Sequence, residues 1–123
     1  MIKDMEEWKE KLQHTEKLII VEGKKDFGAL TSLNIKNIFV LNNKPLYQFV
    51  EEIALLTKDV IILTDLDSEG KKLYSILRND LQKNGVKIDK NFREFLIKNT
   101  KLCCIESIEN FFNEKALPKN KKS

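Results

Sequence analysis

Two stretches of the sequence place carboxylates directly after short apolar runs. Residues 22–26 read Glu-Gly-Lys-Lys-Asp after an Ile-Ile-Val run, and residues 64–70 read Thr-Asp-Leu-Asp-Ser-Glu-Gly after a Val-Ile-Ile-Leu run. Carboxylates that converge on one point repel one another unless a cation neutralises their charge. Hard oxygen ligands suit Mg²⁺ or Mn²⁺, which keep several waters and take substrate phosphates as further ligands. The pattern therefore predicts a metal site built from Glu22, Asp65 and Asp67.

The residues around these acids suit a phosphate-binding turn. Gly23 and Gly70 follow the acids where the backbone must turn tightly or approach a ligand closely. Asp67 or Ser68 is suited to cap the helix that follows, and the N-terminus of a helix attracts phosphate. We expect four nearby lysines to hold phosphate oxygens: Lys24, Lys25, Lys71 and Lys72.

The elements that must position these residues are strands alternating with helices. Apolar runs predict strands at residues 17–23, 38–41 and 60–65, with a fourth at residues 102–105. Other apolar residues recur at helical spacing. They are Met5, Trp8 and Leu12; Leu46, Phe49, Val50 and Ile53; Leu73, Ile76, Leu77 and Leu81; and Phe92, Phe95 and Leu96.

This alternation predicts an α/β fold, with a mainly parallel four-stranded sheet and helices on both faces. Ligands of such sheets bind beyond the carboxyl ends of the strands, where the strand order reverses. If the first and third strands are neighbours, Glu22 falls opposite Asp65 and Asp67 at that end of the sheet. The two-residue period of a strand is expected to point Asp65 and Asp67 the same way.

Length and composition indicate one folded domain. The chain has 123 residues, of which 41% are hydrophobic and 33% are charged. No apolar run reaches the roughly 18 residues of a membrane span, and the polar N-terminus is not typical of a secretory signal. We expect an amphipathic helix at residues 1–16 that packs on the domain, the domain itself at 17–113, and a basic flexible tail at 114–123. The tail carries the whole formal net charge of +3.

The cysteine content argues against disulfides and zinc. Cys103 and Cys104 are adjacent, and the one histidine is His14. Neighbouring cysteines are poorly placed to bridge each other, and two thiols without histidines do not complete a tetrahedral zinc site. We therefore expect buried or half-buried structural thiols in a reducing, cytoplasmic setting.

With these motifs in place, residues 17–108 resemble a Toprim domain, the module shared by topoisomerases, bacterial primases, OLD-family nucleases and 5S ribosomal RNA maturases. The resemblance is carried by Ile-Ile-Val-Glu-Gly-Lys-Lys-Asp at residues 19–26 and Leu-Thr-Asp-Leu-Asp-Ser-Glu-Gly at residues 63–70. It implies the Rossmann-like Toprim fold, in a small stand-alone version most similar to the maturase-like members and to the archaeal and bacterial single-domain members. The separate tyrosine-bearing domain of topoisomerases and the accessory domains of primases have no counterpart in this sequence.

The resemblance also implies roles for individual residues. Glu22 matches the acid that serves as general acid or base for phosphodiester chemistry. Asp65 and Asp67 match the pair that binds Mg²⁺, and Glu69 matches the third acid of topoisomerase-type motifs. Three further residues match positions that shape the turns: Gly23, Asp26 and Gly70. In maturase-like members an acid follows the last strand, and either Glu106 or Glu109 is a match for it.

The leading hypothesis is a Mg²⁺- or Mn²⁺-dependent phosphodiester enzyme that acts on RNA or DNA through Glu22, Asp65 and Asp67, foremost a nuclease, with a nucleotidyl transferase as the other enzyme class. The alternative is a non-catalytic module that binds metal and nucleic acid within a larger complex. Nucleic acid is the expected ligand, with a second copy of the chain or another protein as a further partner. Receiver domains and haloacid-dehalogenase phosphatases fit less well because their paired acids follow the first strand. A dinucleotide-binding domain would need a Gly-x-Gly-x-x-Gly turn after the first strand, which is missing.

Overall fold

The structure, a computed structural model, describes residues 1–116, with side chains described through residue 114. The first three residues of the predicted tail continue the last helix, and residues 117–123 lie outside the described residues. No helix within residues 1–116 combines the length and hydrophobicity needed to cross a membrane. The cytoplasmic setting stays a prediction.

Residues 1–116 form six helices and four strands, which alternate up to the last two helices. In chain order they are α1 (Met5–His14), β1 (Leu18–Val21), α2 (Lys24–Ser32), β2 (Ile38–Val40), α3 (Leu46–Leu56), β3 (Asp59–Ile62), α4 (Ser68–Lys83), β4 (Lys87–Ile88), α5 (Asn91–Asn99) and α6 (Ser107–Ala116). Each stretch with predicted helical spacing is helical. The α4 helix ends before Gly85, whose φ of +82° suits glycine.

The strands form one parallel sheet in the order β2-β1-β3-β4. The predicted α/β fold with a parallel four-stranded sheet is confirmed. In the central pair Ile19 lies beside Ile61 and Ile20 beside Ile62. The chain leaves β1 toward β2 on one side and returns to β3 on the other, so the strand order reverses at β1. The carboxyl ends of β1 and β3 therefore flank the position where ligands bind in such sheets.

The prediction of a strand at residues 102–105 is wrong. The fourth strand is β4, a two-residue edge strand paired with β3. Its lysine and isoleucine lack the apolar run that marks a buried strand. Residues 102–105 instead form an irregular segment beside the turn after β3, where the Leu66 amide donates a hydrogen bond to the Cys103 carbonyl (2.8 Å). Their apolar character reflects the burial of Ile105 in the core.

Helices cover both faces of the sheet, as predicted. Alternate residues of the central strands separate the core into two clusters. One face, with Ile19 and Ile61, packs against α1, α2, α5 and α6; the other, with Ile20 and Ile62, packs against α3 and α4. Trp8 anchors α1 in the first cluster: it is fully buried, and its Nε1 donates to the Phe92 carbonyl (3.1 Å).

The two thiols differ in exposure. Cys104 is half-buried, with its Sγ 3.0 Å from the Ser107 hydroxyl. Cys103 is exposed, so its predicted burial is wrong. The cause is the same as for the missing strand, because an irregular segment does not have to place its side chains in the core.

Candidate metal centre

Glu22 and Asp65 are joined directly across the two central strands. Glu22 follows the last residue of β1, and its Oε2 accepts a hydrogen bond from the Asp65 amide (2.8 Å). The pairing of β1 and β3 continues past the end of β3, where the Leu63 amide donates to the Ile20 carbonyl (2.7 Å). Strand pairing therefore brings together two residues that lie 43 positions apart in the chain.

The turn after β3 positions Asp65 and Asp67, and its geometry is not that of a strand. The strand ends at Ile62, so the alternation argument that placed the two aspartates on one side does not apply. Asp67 is instead the N-cap of α4, and its Oδ1 accepts from the Gly70 amide (2.8 Å). The Thr64 hydroxyl donates to the Gly70 carbonyl (2.8 Å), which closes the turn.

Gly70 is required where this turn packs on itself. A Cβ at Gly70 would lie 1.9 Å from the Asp65 carbonyl oxygen and 2.8 Å from its Cα. Both are backbone atoms and have no flexible side chain to move aside. The absence of a side chain at Gly70 therefore allows α4 to begin directly beside Asp65.

The segment at residues 102–105 completes the support of Asp65. The Ile105 amide donates to Asp65 Oδ1 (3.0 Å). Glu22, Asp65 and Asp67 thus each accept one backbone N–H, while the hydrogen bonds within residues 1–116 leave the second oxygen of each carboxylate unused. No ion pair within residues 1–116 neutralises any of the three.

The site is rich in negative charge. Burial raises the pKa of Glu22; the Asp65 amide opposes this, and the charges of Asp65 and Asp67 raise it further. Burial likewise raises the pKa of Asp26 to about 6, with added repulsion from Asp65, Glu22 and Glu106. Such mutual repulsion is the condition that a bound cation relieves.

Arg93 supports the turn after β3 and is not among the residues predicted from sequence. Its guanidinium is buried, donates to the carbonyls of Thr64 and Asp65 (2.8 Å for the latter) and lies 4.7 Å from the centre of the Tyr74 ring. Burial lowers the pKa of Arg93, and the nearby acids oppose that change. A signal was present: Arg93 follows Phe92 on the apolar face of α5, and it is one of only two arginines in the chain.

The other predicted residues lie around this centre. Asp26 is buried in the first turn of α2 and accepts from the Gly23 amide (3.1 Å), which holds the turn after Glu22. An open depression of about 470 Å³ is lined by Glu22, Gly23, Lys24, Lys25, Asp26, Asn42, Asn43, Asp65 and Glu106. The remaining three predicted residues are exposed in the first turns of α4, outside that lining: Glu69, Lys71 and Lys72. Glu109 lines a neighbouring groove that shares Lys25 and Glu106 with the depression.

The donor set fits a hard divalent cation held by few protein ligands. Within residues 1–116, no three His, Cys, Asp or Glu side chains are arranged as a ready metal cage. Mg²⁺ does not need one, because it is held through one or two carboxylates plus waters and substrate phosphates. Asp65, which lines the depression beside Glu22 and has an unused carboxylate oxygen, supplies one such ligand, and Asp67, outside that lining, is the candidate for a second.

The Toprim domain sequence pattern matches residues 17–98, which include all of β1 to β4 and both acidic motifs. This chain belongs to the Toprim domain family. A UPF0292 protein of Methanocaldococcus jannaschii is 32% identical over 109 residues and covers 85% of each chain. A UPF0292 protein of Thermococcus sibiricus is 34% identical over 114 residues, 89% of this chain and 86% of its own.

A solved structure shows the same fold. The structure described as a putative protein from Aquifex aeolicus superposes on this Toprim protein with a TM-score of 0.80 at 34% identity, and the match covers 85% of this chain and 98% of the other. The resemblance to a small stand-alone Toprim protein is therefore confirmed. As a Toprim domain, the chain is a metal-binding module associated with nucleic acid.

Proposed function

We propose that this protein is a Mg²⁺-dependent nuclease that cleaves phosphodiester bonds of RNA or DNA at the centre formed by Glu22, Asp65 and Asp67. The observation that carries the proposal is the hydrogen bond from the Asp65 amide to Glu22. It joins the residue suited to proton transfer to the residue suited to metal binding, at the strand-order reversal where ligands bind.

Asp65 and Asp67 are the residues that would hold Mg²⁺ or Mn²⁺, with Glu69 as the further acid that the family motif implies. The bound cation supplies positive charge that neutralises the phosphate and favours attack by water. Lys24 and Lys25 line the depression beside Glu22. Their ammonium groups would bind the neighbouring phosphates of the strand, in a salt-dependent way.

Glu22 is the residue suited to move the proton. One of its oxygens is fixed by the Asp65 amide, which orients the other. Burial raises the pKa of Glu22, which brings the carboxyl closer to the working pH of a general acid or base. The lone histidine, His14, is at the end of α1 and bonds to the Glu10 carbonyl, so it does not take this role.

The proposal is tested by assaying Glu22→Gln and Asp65→Asn on a panel of RNA and DNA substrates with Mg²⁺, Mn²⁺ or EDTA. We expect each substitution to lower the cleavage rate by roughly a hundredfold or more, and EDTA to abolish cleavage. Glu16→Gln, at an exposed glutamate that precedes β1 at the opposite end of the sheet, is the matched control. Cleavage that survives both substitutions and EDTA would refute the proposal.

A non-catalytic binding module is the second candidate, and one observation favours it. The residues described contain no complete three-acid cage for a metal, so the cation would be held mainly through a bound phosphate. Mg²⁺-dependent binding of nucleic acid with no turnover on any substrate would decide for this function.

A further inference from the structure

A tight turn of two asparagines follows β2. Asn42 and Asn43 both adopt left-handed backbone conformations, with φ of 48° and 68°. The Lys44 amide donates to the Leu41 carbonyl (3.0 Å) and closes the turn. Asparagine is among the few residues besides glycine that tolerate this conformation, so the backbone of the turn is well defined.

This turn is attached directly to the candidate metal centre. The Asn42 amide donates to the Glu22 carbonyl, and the Leu41 amide donates to the Val21 carbonyl, both at 2.9 Å. Because β1 lies between β2 and β3, Glu22 has Asp65 on one side and the asparagine turn on the other. A strand whose phosphate binds at Glu22 and Asp65 would place a neighbouring nucleotide over Asn42 and Asn43.

The side chains of the two asparagines are available to a ligand. Both residues are exposed, and both line the same depression as Glu22, Lys24 and Lys25. Within residues 1–116, neither side-chain amide takes part in a hydrogen bond, whereas the amide of Asn37, also left-handed, donates to the Thr15 carbonyl. A side-chain amide offers both donors and an acceptor, which suits the edge of a nucleobase or a sugar hydroxyl.

We propose that Asn42 and Asn43 form a selectivity subsite that binds, through its hydrogen-bonding groups, the nucleotide next to the phosphate held at Glu22 and Asp65. This proposal rests on the proposed function, because the subsite lies beside the candidate metal centre. Lys24 and Lys25 hold phosphates without regard to sequence, and the asparagines distinguish one nucleotide from another. Single strands are the expected ligand because their base edges are free.

The test replaces both residues by glycine, in Asn42→Gly/Asn43→Gly. Glycine keeps the left-handed turn without strain, so the substitution removes the amides and preserves the backbone. Asn34→Gly is the matched control, since Asn34 is also exposed and left-handed (φ 63°) but follows α2 and is not among the residues lining the depression. Binding is measured in the Glu22→Gln background with Mg²⁺, on labelled single-stranded homopolymers of adenosine, cytidine and uridine and on their deoxy counterparts.

We expect the affinity ratio between the best and worst homopolymer to fall by about tenfold in the double variant and to stay unchanged in Asn34→Gly. If the double variant loses the preference among bases, the two asparagines bind the base edge. If it loses the preference for ribose over deoxyribose, they bind the sugar hydroxyl. An unchanged ratio in the double variant, or no selective binding by the parent protein, overturns the subsite.

The two proposals fail separately. If the protein with Glu22 cleaves these strands but the glycine variant keeps its full selectivity, the subsite is wrong and the nuclease stands. If no strand is cleaved while selective binding depends on Asn42 and Asn43, the nuclease is wrong and the subsite stands.

Discussion

Asp26 is a carboxylate that the fold buries among other acids. Its pKa is raised to about 6, first by burial and then by the charges of Asp65, Glu22 and Glu106. A raised pKa means that the folded state holds the proton more tightly than the unfolded state does. The contribution of Asp26 to the free energy of unfolding is therefore greatest below its ordinary pKa of 3.8 and is lost as the pH rises through about 6.

The substitution Asp26→Asn tests this charge. The amide oxygen can still accept from the Gly23 amide, but the group no longer ionises. Without metal, we expect the substitution to raise the free energy of unfolding by about 1 kcal/mol at pH 7.5 and by little at pH 4. Urea unfolding in EDTA measures both values, with Glu16→Gln as the exposed control. An equal change in the free energy of unfolding at both pH values would contradict the raised pKa of Asp26.

Gly70 and Gly28 offer a matched pair of glycines in helices. A Cβ at Gly70 would overlap the backbone of Asp65, whereas one at Gly28 meets no atom within 4 Å. We expect Gly70→Ala to lower the free energy of unfolding by about 2–4 kcal/mol through overpacking. Gly28→Ala should raise it by about 0.5–1 kcal/mol, because alanine favours a helix interior. Denaturant unfolding of the two variants measures both changes. If Gly70→Ala were as stable as Gly28→Ala, the turn after β3 would be able to relax around the added Cβ.

At the scale of elements, α1 belongs to the domain although it precedes the family match, which begins at residue 17. Its Trp8 is fully buried, contacts Phe92 edge to face at 6.5 Å and donates to the Phe92 carbonyl. Leu12, also buried, extends the contact. The helix α1 and the rest of the domain therefore share one core cluster.

Substitution of Trp8 measures the contribution of α1. We expect Trp8→Ala to cost about 3–5 kcal/mol, from lost burial and the cavity left behind. Trp8→Phe should cost about 1–2 kcal/mol, largely because the buried Phe92 carbonyl loses its donor. Thermal or urea unfolding gives both values. A variant with alanine that is as stable as the parent would show that α1 is dispensable.

Segments 87–88 and 102–105 show how elements are misassigned from sequence. Residues 102–105 are apolar, but the Cys103 carbonyl and the Ile105 amide bond to the turn after β3 rather than to a neighbouring strand. β4 is short and polar, and it is a strand only because β3 presents an open edge beside it. Pairing partners of this kind are non-local, so composition within a short window does not reveal them.

At the scale of the whole molecule, the acidic end of the sheet should make stability depend on divalent cations. Cation binding to the folded state alone stabilises it by mass action. We expect saturating Mg²⁺ to raise the melting temperature by a few degrees, about 1 kcal/mol. The double variant Asp65→Asn/Asp67→Asn should lose the shift at matched ionic strength. An equal rise in melting temperature in the parent and the double variant would show that the cation binds elsewhere.

The distribution of charge along the chain bears on whether the protein needs a partner to bind nucleic acid. The formal net charge of +3 comes entirely from residues 114–123, and the rest of the chain is neutral. A neutral body with few lysines at the site has modest affinity for a polyanion, which is why a second copy or a protein partner is predicted. Measurement of the mass of the active species in solution tests this, and an active monomer would contradict it.

The sequence by itself determined the strand-helix alternation, the two acidic motifs and their place after β1 and β3. These features are local: burial imposes a period of two or 3.6 on nearby residues, and a turn selects glycine and acids at set offsets. The tertiary structure alone decided that β1 lies between β2 and β3, that the Asp65 amide reaches Glu22, and that Arg93 and the Ile105 amide hold the turn. Those contacts join residues 28 to 43 positions apart, and they exist only because packing both faces of one sheet brings distant backbone groups to the same end.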